Sequence, residues 1–449
     1  MTIALDQPAI DGAIDDASIG AAGIAEPFTG ESDFPAPWGS RSNLRITGVR
    51  SIVTAPEGIP LVVVRIDTSE PGLYGLGCAT FTQRWHAVAA YVDEHLARLL
   101  LGRYPGDIED LIRLSRFSGY WRDGAVDNNA LSGIDLALWD IAGKRAGMPV
   151  SELLGGRVRA AADTYIHASG RTFEETAQHA AALRDEGWRH IRIQVSQPGR
   201  GGYGAAALES PLGNRAGAPN AHGWDVAHYL RQTPQLFAAV RHELGDSVEL
   251  LHDVHSRLTP KQAVILARSV EEFSPYFLED VLAPEHWDRL PEVRASSPVP
   301  IAVGELATSA TAATRLVTSG GVDFIRCHIS TIGGLTPARK LAAVAEAHGV
   351  QTAWHSPGDA SPIAAAANAT LDVTSPAFGI QESHVFSDAA REVFPGTLAI
   401  EGGWIRPNDA PGWGIDFDEK AAARFPPSLS RHDVWAASVR GPDGGLIAP

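Results

Sequence analysis

The sequence predicts a TIM-like α/β barrel of eight strands preceded by a smaller α+β domain. Two observations carry this. From about residue 157 short apolar runs alternate with amphipathic segments, and acidic residues close three successive runs at intervals of 26 positions: Asp253 after VELLH, Glu279 after PYFL and Glu305 after IAVG. One strand, one helix and two turns take about 25 to 35 residues, the size of a single step in a parallel α/β fold. In a closed parallel barrel every strand ends at the same mouth, so carboxylates repeated at that period converge although they are distant in the chain.

Taken in order, residues 1–42 are rich in Ala, Gly, Asp and Pro without sustained periodicity and read as an extension. Within 43–156, LRITGVRSIVT and LVVVRIDT read as strands, and the Gly-rich GLYGLGCAT turns into a small antiparallel sheet. HAVAAYVDEHLARLLLG and DNNALSGIDLALWDIAGKRAG then show apolar residues at helical spacing. The second is expected to be capped by Asp127 or Asn128 and closed by Gly147.

Within 157–400 the candidate strands are DTYIHA, HIRIQV, VELLHD, YFLED, PIAVGE, DFIRCHI, QTAWH and FGIQE. Segments such as TFEETAQHAAALRDEG and TPARKLAAVAEAHG lie between them as helices, beginning near Thr and ending in Gly. A doubly wound sheet is the alternative, but no Gly-rich phosphate fingerprint follows the first strand. Residues 401–449 are expected to return to the N-terminal domain. The long segment from Ser196 to Asn220 leaves a strand C-terminus and carries one aromatic residue, Tyr203, which places it over the mouth.

Composition excludes several functions. The net charge of −16 argues against nucleic acid. No apolar run reaches a membrane span and the first twenty residues lack a signal pattern, so a cytoplasmic protein is expected. Two cysteines, Cys78 and Cys327, support neither a disulfide framework nor a thiolate metal site.

Three carboxylates at one mouth suit Mg²⁺, a hard ion that binds oxygen and keeps positions for water and substrate. Any one of them alone reads equally well as a helix cap. His255, two residues past Asp253 and on the same side of an extended chain, and His355 at another strand end add groups that titrate near neutrality. Arg192, Arg326 and Glu382 add two cations and a fourth acid. A carboxylate-held metal can grip a substrate carboxylate and stabilise the enediolate left when the α-proton departs, and a base and an acid on opposite sides then permit elimination.

The stretches YWRDGAV, IDLALWDIAGKRAGMPVSELLGG, HDVHSRLTP, FLEDVLAPE, IGGLTPARK, WHSPGDASPI and FGIQE give the chain a resemblance to the enolase superfamily, and within it to the mannonate dehydratase group. The resemblance implies a modified (β/α)7β barrel behind a capping domain. Asp253, Glu279 and Glu305 would be Mg²⁺ ligands, Tyr203 the base assisted by Arg192, and His255 the acid that helps the 3-hydroxyl leave. His167, Arg326, His355, Asp359 and Glu382 would contact an acid sugar, and the product would be a 2-keto-3-deoxy sugar acid. It also implies a homo-oligomer, octameric or tetrameric. Arg192-Ile-Gln194 stands where racemases and cycloisomerases of the superfamily carry a Lys-x-Lys pair.

Two departures bear on substrate. Thr82 stands where many members of the group have Asn, and Ser356-Pro357 follows His355, as in members with weak mannonate activity or a preference for gluconate. Dehydration of another acid sugar, or a silent metal-binding or sensing protein on the same scaffold, are the alternatives.

Overall fold

The computed structural model describes residues 36–39, 42–195, 224–428 and 440–447. Strands β1 (Ile46–Thr54), β2 (Leu61–Thr68) and β3 (Tyr74–Cys78) form an antiparallel sheet in sequence order. Helices α1 (Trp85–Ala90), α2 (Ala97–Leu100), α3 (Ile108–Phe117), α4 (Ala125–Ala146) and α5 (Val150–Leu153) follow. The long α4 lies directly on the β3 backbone. A Cβ on Gly75 would stand 2.0 Å from the Ala137 carbonyl oxygen and one on Gly77 2.0 Å from that of Gly133, so only glycine permits this approach.

Helix α4 starts earlier than the sequence suggested. Gly124, at φ +126°, precedes it, and neither Asp127 nor Asn128 is the cap. The Asn128 amide instead donates to the Thr308 carbonyl across the domain seam, a contact that local propensity cannot reveal. Its other end is as expected, closed by Gly147 at φ +67°.

The barrel consists of β4 (Ala162–Gly170), β5 (His190–Val195), β6 (Glu249–Asp253), β7 (Phe277–Glu279), β8 (Ile301–Val303), β9 (Phe324–Ile325), β10 (Gln351–Thr352) and β11 (Gln381–Glu382). Strands β4 to β10 pair in parallel in sequence order, and β11 pairs with β4. A bridge from Thr352 to Phe378 completes the circle, which excludes the open doubly wound sheet. Helices α6 (Phe173–Asp185), α7 (Val226–Leu244), α8 (Pro260–Ser269), α9 (Leu290–Ser296), α10 (Ala310–Thr318), α11 (Leu335–Ala347) and α12 (Pro362–Thr374) fill the crossovers, giving (β/α)7β.

Thr172 caps α6 by accepting from Glu175 N, and Thr259 with Gln262 forms a capping box on α8. Helix α11 departs from the Thr pattern because Thr336 lies inside it. Thr336 N donates to Asp135 Oδ2 at 2.9 Å, and Trp139 Nε1 donates to Thr336 Oγ1 at 2.9 Å. Side chains of α4 thus cap a barrel helix and hold the N-terminal domain over the barrel.

Beyond α13 (Asp388–Val393), strands β12 (Ile400–Glu401) and β13 (Trp404–Ile405) form a hairpin antiparallel to β4. The chain then returns to the first sheet and α4. Trp413 N donates to Asp140 Oδ1 at 3.0 Å, Glu419 at the start of α14 (Glu419–Ala422) pairs with Arg50 at 2.5 Å, and Ala55 N donates to Phe425 O at 2.8 Å. No helix among the described residues is long and apolar enough to cross a membrane.

Candidate active site

Side chains alternate across a strand, so residues two apart along a barrel strand point the same way. Tyr165, Leu251, Phe277, Ala302, Phe324, Ala353 and Ile380 form one buried apolar layer inside the barrel. Two residues beyond six of them stand His167, Asp253, Glu279, Arg326, His355 and Glu382. The layer above the apolar floor is therefore ionisable almost all the way round.

Two guanidiniums organise it. Arg192 Nη1 lies 2.9 Å from Glu279 Oε2, 3.3 Å from Glu382 Oε1 and 3.5 Å from Asp253 Oδ2, while its Nη2 is 3.1 Å from His167 Nδ1. Arg326, wholly buried, reaches Glu305 and Glu382 at 2.8 Å, Asp280 at 3.1 Å and Glu279 at 3.3 Å, and donates from Nε to the Tyr165 hydroxyl at 3.0 Å. Glu382 also takes a hydrogen bond from Ser356 N at 3.1 Å and stands 2.8 Å from His167 Nε2.

The acids outnumber these cations: Asp253, Glu279, Asp280, Glu305 and Glu382 share Arg192 and Arg326. Charge balance divides them. Burial raises the Glu279 carboxyl against the pull of Arg326 and Arg192, and raises Asp280 well above the usual range. Burial acts on Glu305 too, but His355, Arg326 and His255 outweigh it and hold it at about 2, and Arg326 and His355 hold Glu382 well below its ordinary value. Burial pushes His255 down while Asp253 and Glu305 pull it up. Burial and the Arg192 charge take His167 down to about 4.

Above this layer lies a cavity of about 570 Å³ between the barrel and the segment after β3. Thr82, His255, Asp280, Glu305, His355 and Asp359 line it. Thr82 comes from the N-terminal domain, so both domains contribute walls.

The expected metal ligands fit an oxygen-bound divalent cation in donor type and charge. Glu279 Oε1 is buried and accepts no hydrogen bond among the described residues, and Asp253 Oδ2, also without one, has the Arg192 guanidinium 3.5 Å away, an expensive condition for paired carboxylates that a further cation would relieve. Asp253 pairs directly with Glu279, but Glu279's neighbour on β8 is Ala302, so Glu305 stands three residues beyond that level. The intervening Gly304 takes φ +146°, and a Cβ there would lie 3.0 Å from Cys327 Sγ. Among the described residues, the one trio of possible ligands with donor atoms within 4.8 Å of one another is His328, His355 and Asp359.

Residues 43–155 match the mandelate racemase/muconate lactonizing enzyme N-terminal domain, and residues 175–421 match the enolase C-terminal domain-like family. A D-galactonate dehydratase family member from Catenulispora acidiphila is 61% identical over 413 residues, spanning 92% of this chain and 96% of that protein. The chain belongs to the D-galactonate dehydratase family of the enolase superfamily. A crystal structure of an enolase from Pantoea ananatis with bound D-gluconate and Mg superposes with a TM-score of 0.86 at 47% identity, covering 91% of this chain and all, 100%, of that one. A mandelate racemase/muconate lactonizing enzyme structure from Labrenzia alexandrii is more distant, with a TM-score of 0.73 at 27% identity over 85% of this chain.

For this member of the dehydratase family, the structure brings together Arg192, His255, His167, Arg326, His355, Asp359, Glu382, Thr82 and the three expected metal ligands. Tyr203 lies outside the described residues. Contrary to the sequence expectation for His255, the chain after Asp253 is not extended. His255 and Ser256 take φ +55° and +61°, and this turn swings the imidazole to the cavity while His255 N donates to Asp253 Oδ1 at 2.7 Å. Left-handed non-glycine residues are costly and cluster at functional sites.

Sequence reasoning missed Asp280, His328 and Tyr165. Asp280 is the second acid of FLED and its φ of +41° turns it toward Arg326 and Gly304 N. The other two carried a signal, since His328 follows Arg326 by two positions and Tyr165 precedes His167 by two.

Proposed function

We propose that the chain is a Mg²⁺-dependent hydro-lyase acting on D-mannonate or D-gluconate, giving 2-keto-3-deoxy-D-gluconate. The observation that carries this reading is the ring of carboxylates and guanidiniums on the apolar barrel floor, with Asp253 Oδ2 and Glu279 Oε1 buried and accepting no hydrogen bond among the described residues. The D-gluconate and Mg bound by the Pantoea enolase support it. Asp253, Glu279 and Glu305 would hold the ion. Bound there, Mg²⁺ would neutralise the charge that grows on the substrate carboxylate as the C2 proton leaves.

In this reading the Tyr203 phenolate takes the C2 proton, its ionisation favoured by Arg192. The electrons of the C2–H bond form the C2=C3 double bond, the C3–O bond breaks, and His255 gives a proton to the departing hydroxyl so that water leaves. The enol then becomes the 2-keto product. His167, Arg326, His355, Asp359, Glu382 and Thr82 orient the sugar chain. Thr82, a short hydroxyl where many members of the group carry an amide, bears on the distal hydroxyls, and the Ser356-Pro357 pair after His355 resembles members with weak mannonate activity or a preference for gluconate, while the choice between these C2 epimers rests on the face of C2 that the base occupies. The reading includes domains at 43–156 and 157–400, a returning segment at 401–449, and a cytoplasmic homo-oligomer, octamer or tetramer, which light scattering checks.

Turnover of D-mannonate, D-gluconate and D-galactonate with Mg²⁺, following 2-keto-3-deoxy product, tests the proposal on the wild type beside Tyr203→Phe and His255→Asn. Product from gluconate or mannonate that both variants lose is expected. A folded, Mg²⁺-loaded protein that dehydrates none of the three contradicts it.

A further inference from the structure

His328 has no part in the reaction as written, yet this buried residue lines the cavity beside His355 and Asp359. It sits in a parallel bridge with His355, which sets the two rings side by side with centroids 5.3 Å apart. With Asp359 these histidines form the one trio close enough to hold a metal among the described residues, which at first suggests a second ion site.

The hydrogen bonding of His328 argues otherwise. Ser330 N donates to His328 Nδ1 at 3.2 Å. A backbone N–H aimed at Nδ1 requires a lone pair there, so the neutral ring carries its proton on Nε2. A protonated Nε2 has no lone pair to give a metal. Nε2 faces Asp359 Oδ1 at 4.0 Å, too far for a direct hydrogen bond, and Asp359 Oδ1 itself is buried without a hydrogen bond among the described residues.

A fixed donor thus faces an acceptor across a gap of 4.0 Å. A hydroxyl oxygen between them satisfies both at once, because it accepts from one neighbour and donates to the other. We propose that His328 is a substrate-binding residue, a fixed-tautomer donor that with Asp359 forms a subsite for one hydroxyl of the acid sugar and not a second metal site. This rests on the proposed acid-sugar activity. It also gives the site chemical selectivity, since a substrate lacking that hydroxyl leaves both groups unpaired in a buried place.

The test compares wild type, His328→Met and His328→Gln with Mg²⁺ saturating, recording kcat, KM for D-gluconate and D-mannonate, and melting temperature, together with Zn²⁺ titration of the Mg²⁺-loaded wild type. Methionine fills the space without a donor, whereas glutamine restores an N–H. The expected result is a loss of about tenfold to a hundredfold in kcat/KM for His328→Met, carried by KM, with recovery in His328→Gln. Wild-type kinetics in a folded His328→Met overturn the proposal. So does an equal loss in both variants that follows only their melting temperatures, which would make the residue structural. Stoichiometric Zn²⁺ binding that His328→Gln abolishes would replace the hydroxyl subsite with a metal site. If the wild type turns over no acid sugar, the functional reading fails first and this inference falls with it, an outcome distinct from turnover that is indifferent to His328.

Discussion

Two successive layers inside one barrel, two residues apart on the same strands, have opposite chemistry. The lower, built on Tyr165, Leu251, Phe277, Phe324, Ala353 and Ile380, is buried and largely apolar, while the upper places His167, Asp253, Glu279, Arg326, His355 and Glu382 at the mouth. The lower layer contributes stability by burial and packing. The upper gathers buried charges that cost stability individually and are sustained by mutual pairing. The difference teaches how far the strand period positions this site: on six strands or their ends one side chain makes the floor and the one two residues on faces the chemistry. Strand β5 adds Arg192 without a floor residue, and strand β8 departs in another way, since Ala302 is followed two residues on by Gly304 and the acid arrives one residue later.

Breaking the upper layer at its centre should have the largest effect. Arg326→Met leaves Glu279, Asp280, Glu305 and Glu382 without their shared cation, and should cost about 3 to 5 kcal/mol and abolish turnover. Urea denaturation beside an activity assay measures both, and a variant as stable as wild type would show the pairing to be dispensable.

The same measurements on the floor should separate the two quantities. Phe277→Ala should lose about 3 to 5 kcal/mol by cavity formation, while the fraction that stays folded keeps its kcat within a few fold. A large fall in kcat at unchanged stability would mean that the floor is part of the chemistry.

The exception on β8 offers a sharper and smaller probe. Gly304→Ala adds a Cβ at φ +146° with Cys327 Sγ 3.0 Å away, and should cost about 1 to 3 kcal/mol while displacing Glu305 and weakening Mg²⁺ dependence. Unaltered stability and Mg²⁺ response would show that β8 does not need its glycine.

The smallest effect concerns pH. His252 lies behind the upper layer, with Nδ1 donating to the Ile193 carbonyl at 2.8 Å and Nε2 accepting from the Tyr229 hydroxyl at 2.8 Å. Burial pushes it down to about 4 from an ordinary value of 6.5. The unfolded chain therefore binds more protons between those values, so this contribution is complete above pH 6.5 and is lost as pH falls toward 4. Melting temperatures of the metal-free protein at pH 7.5, 6 and 5 should decline, less steeply for His252→Gln. Parallel declines would remove His252 from the account.

Much of this was legible in the sequence because the barrel repeats a short rule. Short apolar runs alternating with helical segments located the eight strands, and the 26-residue spacing linked three of the acids that close them. What was not legible depends on contacts between distant segments or on local backbone turns. The pairing of Asp135 with Thr336 spans 201 residues and decides where the N-terminal domain sits. The left-handed residues at His255, Ser256 and Asp280 bring side chains to the cavity by turns that no periodicity encodes. The role of His328 became visible only with the hydrogen bond that fixes its tautomer.

The central claim is that the upper layer is a carboxylate cradle for one Mg²⁺ at which an acid sugar is dehydrated. Calorimetric titration of Mg²⁺ into the metal-free wild type and Glu279→Gln, each with and without D-gluconate, tests it most directly. One Mg²⁺ per chain, tighter when gluconate is present and lost in the variant, is the predicted result. Equal Mg²⁺ binding by both proteins would contradict the account and move the ion away from the barrel mouth.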